Sequence, residues 1–113
     1  MTLVETNADG VVVVKAGGRI DMSSADAFKD ALLSATTKAA KAVIVDMSGV
    51  DYISSAGLRS MMIAFRAAKA AGRAFAVAAL SPLVLEIFTI SRFNLVFPIH
   101  GGVAEAIEEA ARA

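Results

Sequence analysis

The chain has 113 residues, carries no net formal charge at pH 7, and contains no cysteine and a single histidine. That length allows one compact domain with a real core but not two. The absence of cysteine excludes a disulfide framework, a thiol nucleophile and a cysteine-based metal site, and the neutral charge argues against general affinity for nucleic acid. No apolar run approaches the length of a membrane span, and the first residues lack the layout of a secretory signal. We therefore expect one domain over residues 1–113, cytoplasmic and without membrane insertion.

The beginning of the chain predicts a hairpin followed by a helix. Residues 3–8 are weakly β-like, an Asp-Gly pair follows as a turn signal, and the four valines at 11–14 give the strongest strand pattern in the sequence. We expect these two segments to pair in an antiparallel manner, with the first at the edge of the sheet. The two serines at 23–24 can then cap a helix that runs to about Thr37.

A buried strand and an amphipathic helix occupy the middle of the chain. Residues 43–45 are β-branched and apolar, which is typical of a fully buried strand. A polar turn should follow, and a helix should then begin at Ser54 and Ser55 and end at Gly72. The apolar face of that helix recurs at helical spacing and comprises Leu58, Met61, Met62, Phe65 and Ala68.

The last part of the chain alternates strand and helix again. Residues 74–78 predict another buried strand, and Ser81 with Pro82 starts a helix in the usual cap-then-proline order. The expected apolar row of this helix comprises Leu83, Ile87 and Ile90. Residues 95–97 predict a brief last strand, and a C-terminal helix runs through Arg112.

This element order, β-β-α-β-α-β-α-β-α, decides the fold class. Strands that alternate with helices argue for a layered α/β domain. We expect a mostly parallel sheet of about five strands, with an antiparallel N-terminal edge strand, and four helices.

Ser54 and Ser55 fall where functional sites are usually built in such folds, beyond the carboxyl end of a buried strand and at the start of a helix. A single serine there is most often an N-cap. Ala56 and Gly57 leave the first helical turn almost bare, so that another backbone or a large group can approach closely. A phosphate on either hydroxyl would also meet the positive end of the helix dipole. The pattern indicates a surface site for docking or modification, without saying which.

An outward face of the same helix is basic. Arg59, Ile63 and Arg66 share it, and no acidic residue occurs between positions 52 and 85. One interpretation is a solvated cationic face with a stray isoleucine. The other is a surface that binds an acidic partner.

Catalysis is not favoured by the residues available. A serine nucleophile needs a general base held by an orienting group, and His100 lies in a loop that we expect to face solvent. The residues around Ser54 and Ser55 also lack the G-x-S-x-G elbow. We therefore predict that the protein is not an enzyme.

Cofactor and metal sites are not favoured either. The glycine pairs at 17–18 and 101–102 match no phosphate-binding pattern. Asp21, Asp46 and Asp51 could cluster near strand ends, but no dedicated metal loop accompanies them, and we interpret Asp46 and Asp51 as turn or cap residues. The role of Asp21 stays open, because it follows a strand as Ser55 does.

At this point the residues resemble a known family, the STAS domain, and within it the bacterial anti-sigma factor antagonists. The resemblance rests on Gly-Arg-Ile-Asp at 18–21, the strand at 43–50, the Tyr-Ile-Ser-Ser-Ala-Gly-Leu-Arg run at 52–59, Ala-Gly at 71–72 and the Ser-Pro helix start at 81–88. It covers nearly the whole chain.

The resemblance implies a phosphorylation switch. The family motif is Asp-Ser-(Ser/Thr)-Gly-Leu, in which a partner serine kinase that doubles as the anti-sigma factor phosphorylates the serine after the aspartate. On this sequence the acceptor falls on Ser55, and Ser54 replaces the aspartate. The family's other aspartate matches Asp21, which would lie beside the acceptor. The implied partner-binding residues are Asp21, Ser54, Ser55, Ala56, Gly57, Arg59, Ile63 and Arg66.

The implied mechanism is partner switching. The unmodified protein would bind the kinase and free a sigma factor, phosphorylation at Ser55 would favour release, and a phosphatase could remove the phosphate. The family also suggests an alternative, a STAS subunit that packs without phosphorylation on the ATPase of a phospholipid-transport ABC complex. Recovery of a serine kinase or of a transporter ATPase from the native host would discriminate the two.

Overall fold

The sheet of the protein runs in simple sequence order, β1-β2-β3-β4-β5. The computed structural model describes residues 1–112, and within that range it contains five strands, four α-helices and one short 3₁₀ helix. The elements in chain order are β1 (Thr2–Ala8), β2 (Val11–Ile20), α1 (Ala25–Lys38), β3 (Ala42–Ile53), α2 (Ser55–Ala70), β4 (Ala74–Ala78), α3 (Pro82–Ile90), the 3₁₀ helix (Phe93–Leu95), β5 (Ile99–His100) and α4 (Val103–Arg112).

The N-terminal hairpin is confirmed. β1 pairs antiparallel with β2 from Thr2 opposite Gly17 to Ala8 opposite Val11, and β1 forms the edge of the sheet. The two turn residues, Asp9 and Gly10, both have positive φ angles, 54° and 83°, as the tight hairpin turns that match strand twist require.

The other strand pairs, β2–β3, β3–β4 and β4–β5, are all parallel. Each pair is joined through a helix, as parallel neighbours require. The predicted fold class, a mostly parallel sheet with an antiparallel N-terminal edge strand, is therefore confirmed.

β3 is much longer than predicted. A polar turn was expected after Val45, but the strand continues to Ile53 and stays paired with β2. β3 contains one extra residue opposite the β2 segment from Lys15 to Gly17, and another opposite the β2 step from Gly18 to Arg19. These β-bulges keep the polar residues on the strand. They also bring α2 to the point where β2 ends.

The two faces of the sheet are covered unequally. Alternate strand residues such as Val43 and Val45 face one core with α1, α2 and α3, whereas Ala42 and Ile44 face a smaller cluster under α4. This alternation follows from the two-residue period of a strand. Three helices therefore lie on one face and α4 lies on the other.

The predicted apolar row of α3 is correct only for Ile87, which packs partly buried against the core. Val84 and Phe88 are fully buried, whereas Leu83 and Ile90 are 51% and 74% exposed. Phe88 packs against Phe97 with ring centroids 6.1 Å apart, and this tertiary contact sets which side of the helix faces the core.

The predicted strand at 95–97 is also wrong. Leu95 is the last residue of the 3₁₀ helix and Val96 is its C-cap. Phe97 is a core aromatic whose ring centroid lies 5.2 Å from that of Phe65. The last strand begins at Ile99 instead. His100 was expected to face solvent, but it lies on β5 with a side chain only 16% exposed and 3.3 Å from Glu105.

Candidate functional site

The two serines at the start of α2 have different roles. Ser54 is the N-cap residue, and its hydroxyl oxygen accepts a 3.2 Å hydrogen bond from the backbone N–H of Gly57. Ser55 is the first helical residue, is exposed, and makes no side-chain hydrogen bond within residues 1–112. The cap role therefore belongs to Ser54, and the hydroxyl presented to solvent belongs to Ser55.

Asp21 lies beside this junction, directly after β2. The backbone N–H of Ser54 donates a 2.8 Å hydrogen bond to the carbonyl oxygen of Ile20. The end of β2 and the start of α2 are thereby joined, one residue away from Asp21 and from Ser55.

The Asp21 carboxylate is held by the serines that follow it. It accepts hydrogen bonds from the Ser23 hydroxyl at 2.7 Å, from the Ser23 backbone N–H at 3.0 Å and from the Ser24 hydroxyl at 3.3 Å. The bond from the Ser23 hydroxyl is the largest cause that lowers the pKa of Asp21 below its ordinary value of 3.8. Bonds to the ionised form favour that form, so Asp21 is a fixed negative charge at neutral pH.

Ser24 occupies the N-cap position of α1 but does not act as predicted. Its side chain makes no capping bond to α1. The hydroxyl instead accepts from the Asp21 backbone N–H at 3.0 Å and bonds to Asp21 and to the Arg19 carbonyl oxygen at 3.2 Å. It therefore orders the Asp21 loop.

Gly57 was predicted to lie on the partner-binding surface, and the structure gives it a packing role. The residue is buried, and a Cβ atom there would lie 2.7 Å from Ile53 Cγ1 and 2.8 Å from Ile20 Cγ2. The group that approaches this bare turn closely is the protein's own core. The glycine lets α2 sit tightly on β2 and β3.

The basic face of α2 is exposed as expected, and part of it borders a cleft. Arg59, Ile63 and Arg66 are all exposed. The cleft has a volume of ≈ 480 Å³ and is lined by Ser55, Leu58, Arg59, Met62, Arg66, Ser91 and Phe93. Ser55 and the two arginines are thus brought together, whereas Ile63 is not part of the lining.

Ser91 and Phe93 form part of the cleft but were not recognised in the sequence. Ser91 is the C-cap residue of α3, and Phe93 is the first residue of the 3₁₀ helix that follows. The sequence prediction assigned no role to these two residues, and only the tertiary packing of Phe88 and Phe93 against Phe97 places them opposite α2.

The cleft offers binding groups rather than acid–base groups. Its lining contains no histidine and no carboxylate, and His100 lies on β5, two strands from β3. Asp46 accepts a 2.9 Å bond from the Ser48 backbone N–H, Asp51 is exposed on β3, and within residues 1–112 no three carboxylate or histidine side chains converge on a metal-sized site. In the same range, every α-helix is too short or too polar to cross a bilayer.

A mixed five-stranded sheet with three helices on one face and α4 on the other defines the class of layered α/β domain. The family model of the STAS domain matches residues 3–106. The chain belongs to the STAS domain family.

Relatives and solved structures agree with this assignment. BtrV of Bordetella bronchiseptica, named as a candidate anti-sigma factor antagonist, is 31% identical over 113 residues, which is 100% of this chain and 94% of that protein. An anti-sigma factor antagonist of Mycobacterium paratuberculosis has the same fold, with a TM-score of 0.88 and 24% identity over 97% of this chain and 93% of that one. The Bacillus cell fate determinant SpoIIAA in its phosphorylated form matches with a TM-score of 0.72 and 16% identity, over 96% of this chain and 98% of that one.

Proposed function

We propose that this protein is a cytoplasmic anti-sigma factor antagonist that is switched by phosphorylation of Ser55. In its unmodified form it binds an anti-sigma factor that is also a serine kinase, and a sigma factor is released. The kinase phosphorylates Ser55 and the complex separates. A phosphatase that hydrolyses the phosphoserine resets the cycle.

The observation that carries the proposal is the exposed, unbonded hydroxyl of Ser55 at the first residue of α2. A kinase can reach it without unfolding the chain. Its neighbour Ser54 is committed to the helix cap. The relatedness to BtrV over the full chain supports the anti-sigma factor as the class of partner.

Ser54 in place of the motif aspartate leaves the local architecture unchanged. Aspartate and serine are equally good N-caps, and the Ser54 hydroxyl fills that role through Gly57. The difference is one negative charge beside the acceptor. Asp21, the family's other aspartate position, directly follows Ile20, whose carbonyl oxygen accepts the hydrogen bond from the Ser54 backbone N–H.

The transfer step is ordinary phosphoryl chemistry carried by the kinase. The Ser55 oxygen forms a bond to the γ-phosphorus of ATP held by the kinase, and the bond from that phosphorus to the bridging oxygen breaks. The hydroxyl proton passes to a base of the kinase, and ADP leaves. The antagonist contributes only the acceptor and its presentation.

Release requires little free energy. Phosphorylation adds a charge of about −1.5 to −2 at the docking surface. A loss of affinity by a factor of roughly one hundred corresponds to only about 2.7 kcal/mol. One dianion and its desolvation at the interface can supply this.

The alternative proposal, a subunit of an ABC transporter that binds an ATPase through the same helix, needs no phosphate. Its motivation was the missing motif aspartate. Ser54 fills the same helix-cap role as the missing aspartate. The missing aspartate is therefore weaker support for the transporter function, and the kinase-linked function is preferred.

The test is a kinase reaction with purified protein. An anti-sigma factor kinase from the native host is incubated with the chain and ATP, and the product is mapped by mass spectrometry. We expect one phosphoryl group, on Ser55, and none on the Ser55→Ala variant. Phosphate on Ser54 or elsewhere, or co-purification with a transporter ATPase instead of a kinase, would contradict the proposal.

A further inference from the structure

The side chains of Ser55, Arg59 and Arg66 lie along one face of α2. Ser55 and Arg59 are four residues apart, and residues at that spacing are neighbours on a helix surface. Arg66 lies two helical turns beyond Arg59. All three line the same cleft of ≈ 480 Å³, with Ser91 and Phe93 also in its lining.

The two guanidinium groups have no counter-charge within the described part of the chain. No salt bridge among residues 1–112 includes Arg59 or Arg66, since the carboxylates that do pair are Glu5, Asp26, Glu105, Glu108 and Glu109. The sequence from 52 to 85 holds no acidic residue. The cleft therefore presents two uncompensated positive charges beside an exposed hydroxyl.

We propose that Arg59 binds the phosphoryl group of phosphorylated Ser55 inside this cleft, whereas Arg66, about 16 Å from Ser55 along the helix, adds only longer-range electrostatic attraction. The inference rests on the proposed modification of Ser55. A guanidinium is a planar fork that matches two phosphate oxygens at once. The i,i+4 spacing lets Arg59 reach the group on its own helix face, and the Ser91 hydroxyl lines the cleft as a further donor.

This assignment changes how the switch works. Two arginines and one phosphoserine of about −1.5 to −2 charge nearly cancel. Phosphorylation then neutralises the positive charges with which the unmodified protein attracts an acidic partner. The carboxylates of that partner must compete with the tethered phosphate for the same guanidinium groups. The phosphate acts as an internal inhibitor of docking.

The experiment measures the second pKa of the phosphate itself. Phosphoserine is incorporated at position 55 of the full chain during translation, and the phosphorus NMR shift is followed between about pH 4 and pH 8, around the ordinary value of about 6. A nearby positive charge favours the dianion and lowers this pKa. We expect the pKa in Arg59→Gln to be higher than in the otherwise unchanged protein by about 0.5 unit or more, and Arg59→Lys to fall between the two.

Lys69→Gln is the matched control. Lys69 is also on α2 and is exposed, but it lies over the Phe65 ring and does not line the cleft. Its loss changes the net charge by the same amount and leaves the helix N-terminus untouched, so the phosphate pKa should not move. Equal pKa values in Arg59→Gln and the parent, or an equal rise in Lys69→Gln, would overturn the proposal.

The outcome is separable from the kinase reaction. Because the phosphoserine is installed without a kinase, a phosphate whose pKa depends on Arg59 supports the cleft assignment whatever enzyme acts on Ser55. The converse outcome is that the kinase modifies Ser55 while the phosphate pKa does not change in Arg59→Gln. That pair of results overturns this inference and leaves the proposed function standing.

Discussion

The backbone N–H of Ser54 donates a 2.8 Å hydrogen bond to the carbonyl oxygen of Ile20. Through this bond the last residue of β2 fixes the first turn of α2. The Asp21 loop and the Ser55 hydroxyl consequently lie on either side of one rigid junction. Three features surround this junction: the close packing at Gly57, the hydrogen-bonded Asp21 carboxylate and the positive charges of α2. Each of them gives a prediction.

Gly57→Ala should destabilise the protein although alanine favours helices. The new Cβ would lie 2.7 Å from Ile53 Cγ1 and 2.8 Å from Ile20 Cγ2, and overpacking a well-filled core costs about 1–3 kcal/mol. The gain in helix propensity is only about 1 kcal/mol. Urea unfolding should show a net loss of up to about 2 kcal/mol in the free energy of unfolding.

Gly102→Ala provides the comparison for that measurement. Nothing lies within 4 Å of a Cβ built on Gly102, so its midpoint should stay close to that of the parent protein. A Gly57→Ala variant as stable as Gly102→Ala would show that the junction is not tightly packed.

Asp21 should make stability depend on pH in a defined direction. Its pKa in the folded protein is lowered below 3.8, chiefly by the hydrogen bond from the Ser23 hydroxyl. A lowered carboxyl pKa gives stability that is present above the unfolded value and is lost as the pH falls through the folded value. The difference in urea midpoint between the parent and Asp21→Asn should therefore be constant above about pH 5 and shrink below pH 3.8.

Asp51→Asn serves as the control for this titration. Asp51 is exposed on β3, and its carboxylate accepts no hydrogen bond within residues 1–112. Asp51→Asn therefore removes one surface carboxylate without removing a hydrogen bond to that carboxylate. If Asp21→Asn and Asp51→Asn behave alike, the serine hydrogen bonds do not hold the Asp21 carboxylate.

Arg66→Gln should weaken binding of the unmodified protein to its anti-sigma factor. Arg66 is exposed, borders the cleft and is not engaged in any salt bridge of the described chain. Charges of this kind act mainly on the association rate and are screened by salt. Surface plasmon resonance should give a loss of about three- to tenfold at low salt, smaller at high salt.

The matched variant for Arg66→Gln is Arg112→Gln on α4, across the sheet from α2. Arg112 already pairs with Glu108 and Glu109 at 3.0 Å. The substitution removes the same charge from the protein and should not alter the association rate. Equal changes of the association rate in the two variants would mean that the rate depends on the net charge of the protein and not on the basic face of α2.

Ser55→Ala and Ser55→Asp separate docking from modification. The alanine variant keeps an uncharged docking surface, so it should bind the anti-sigma factor as tightly as the parent. The aspartate variant places one negative charge on the surface and should bind more weakly, by less than a full phosphate would cause. Calorimetric titration measures both, and a Ser55→Asp variant of undiminished affinity would count against the switch.

Local patterns in the sequence were enough for most of the fold. The Asp-Gly turn and the valine run predicted the edge hairpin, and the bounds of β4 and the cap of α3 at Ser81 agree with the structure. Ser54 and Ser55 were correctly placed at a helix start. In each case the signal lies within a few neighbouring residues, so local sequence determines the element with little contribution from tertiary packing.

The errors arose where tertiary contacts decide. The bulges that extend β3 to Ile53 depend on its pairing with β2, and the rotation of α3 depends on Phe97. Gly57 could not be distinguished from a bare docking site because the atoms that fill its space belong to Ile20 and Ile53. Ser91 and Phe93 of the cleft lining were missed for the same reason.

The most direct measurement of the central claim compares the affinity of one anti-sigma factor for the chain with and without phosphate on Ser55. Calorimetry on the unmodified and the fully phosphorylated protein gives the ratio of the two dissociation constants. We expect phosphorylation to raise the dissociation constant by a factor of roughly one hundred, about 2.7 kcal/mol. Equal dissociation constants for the two forms would contradict it.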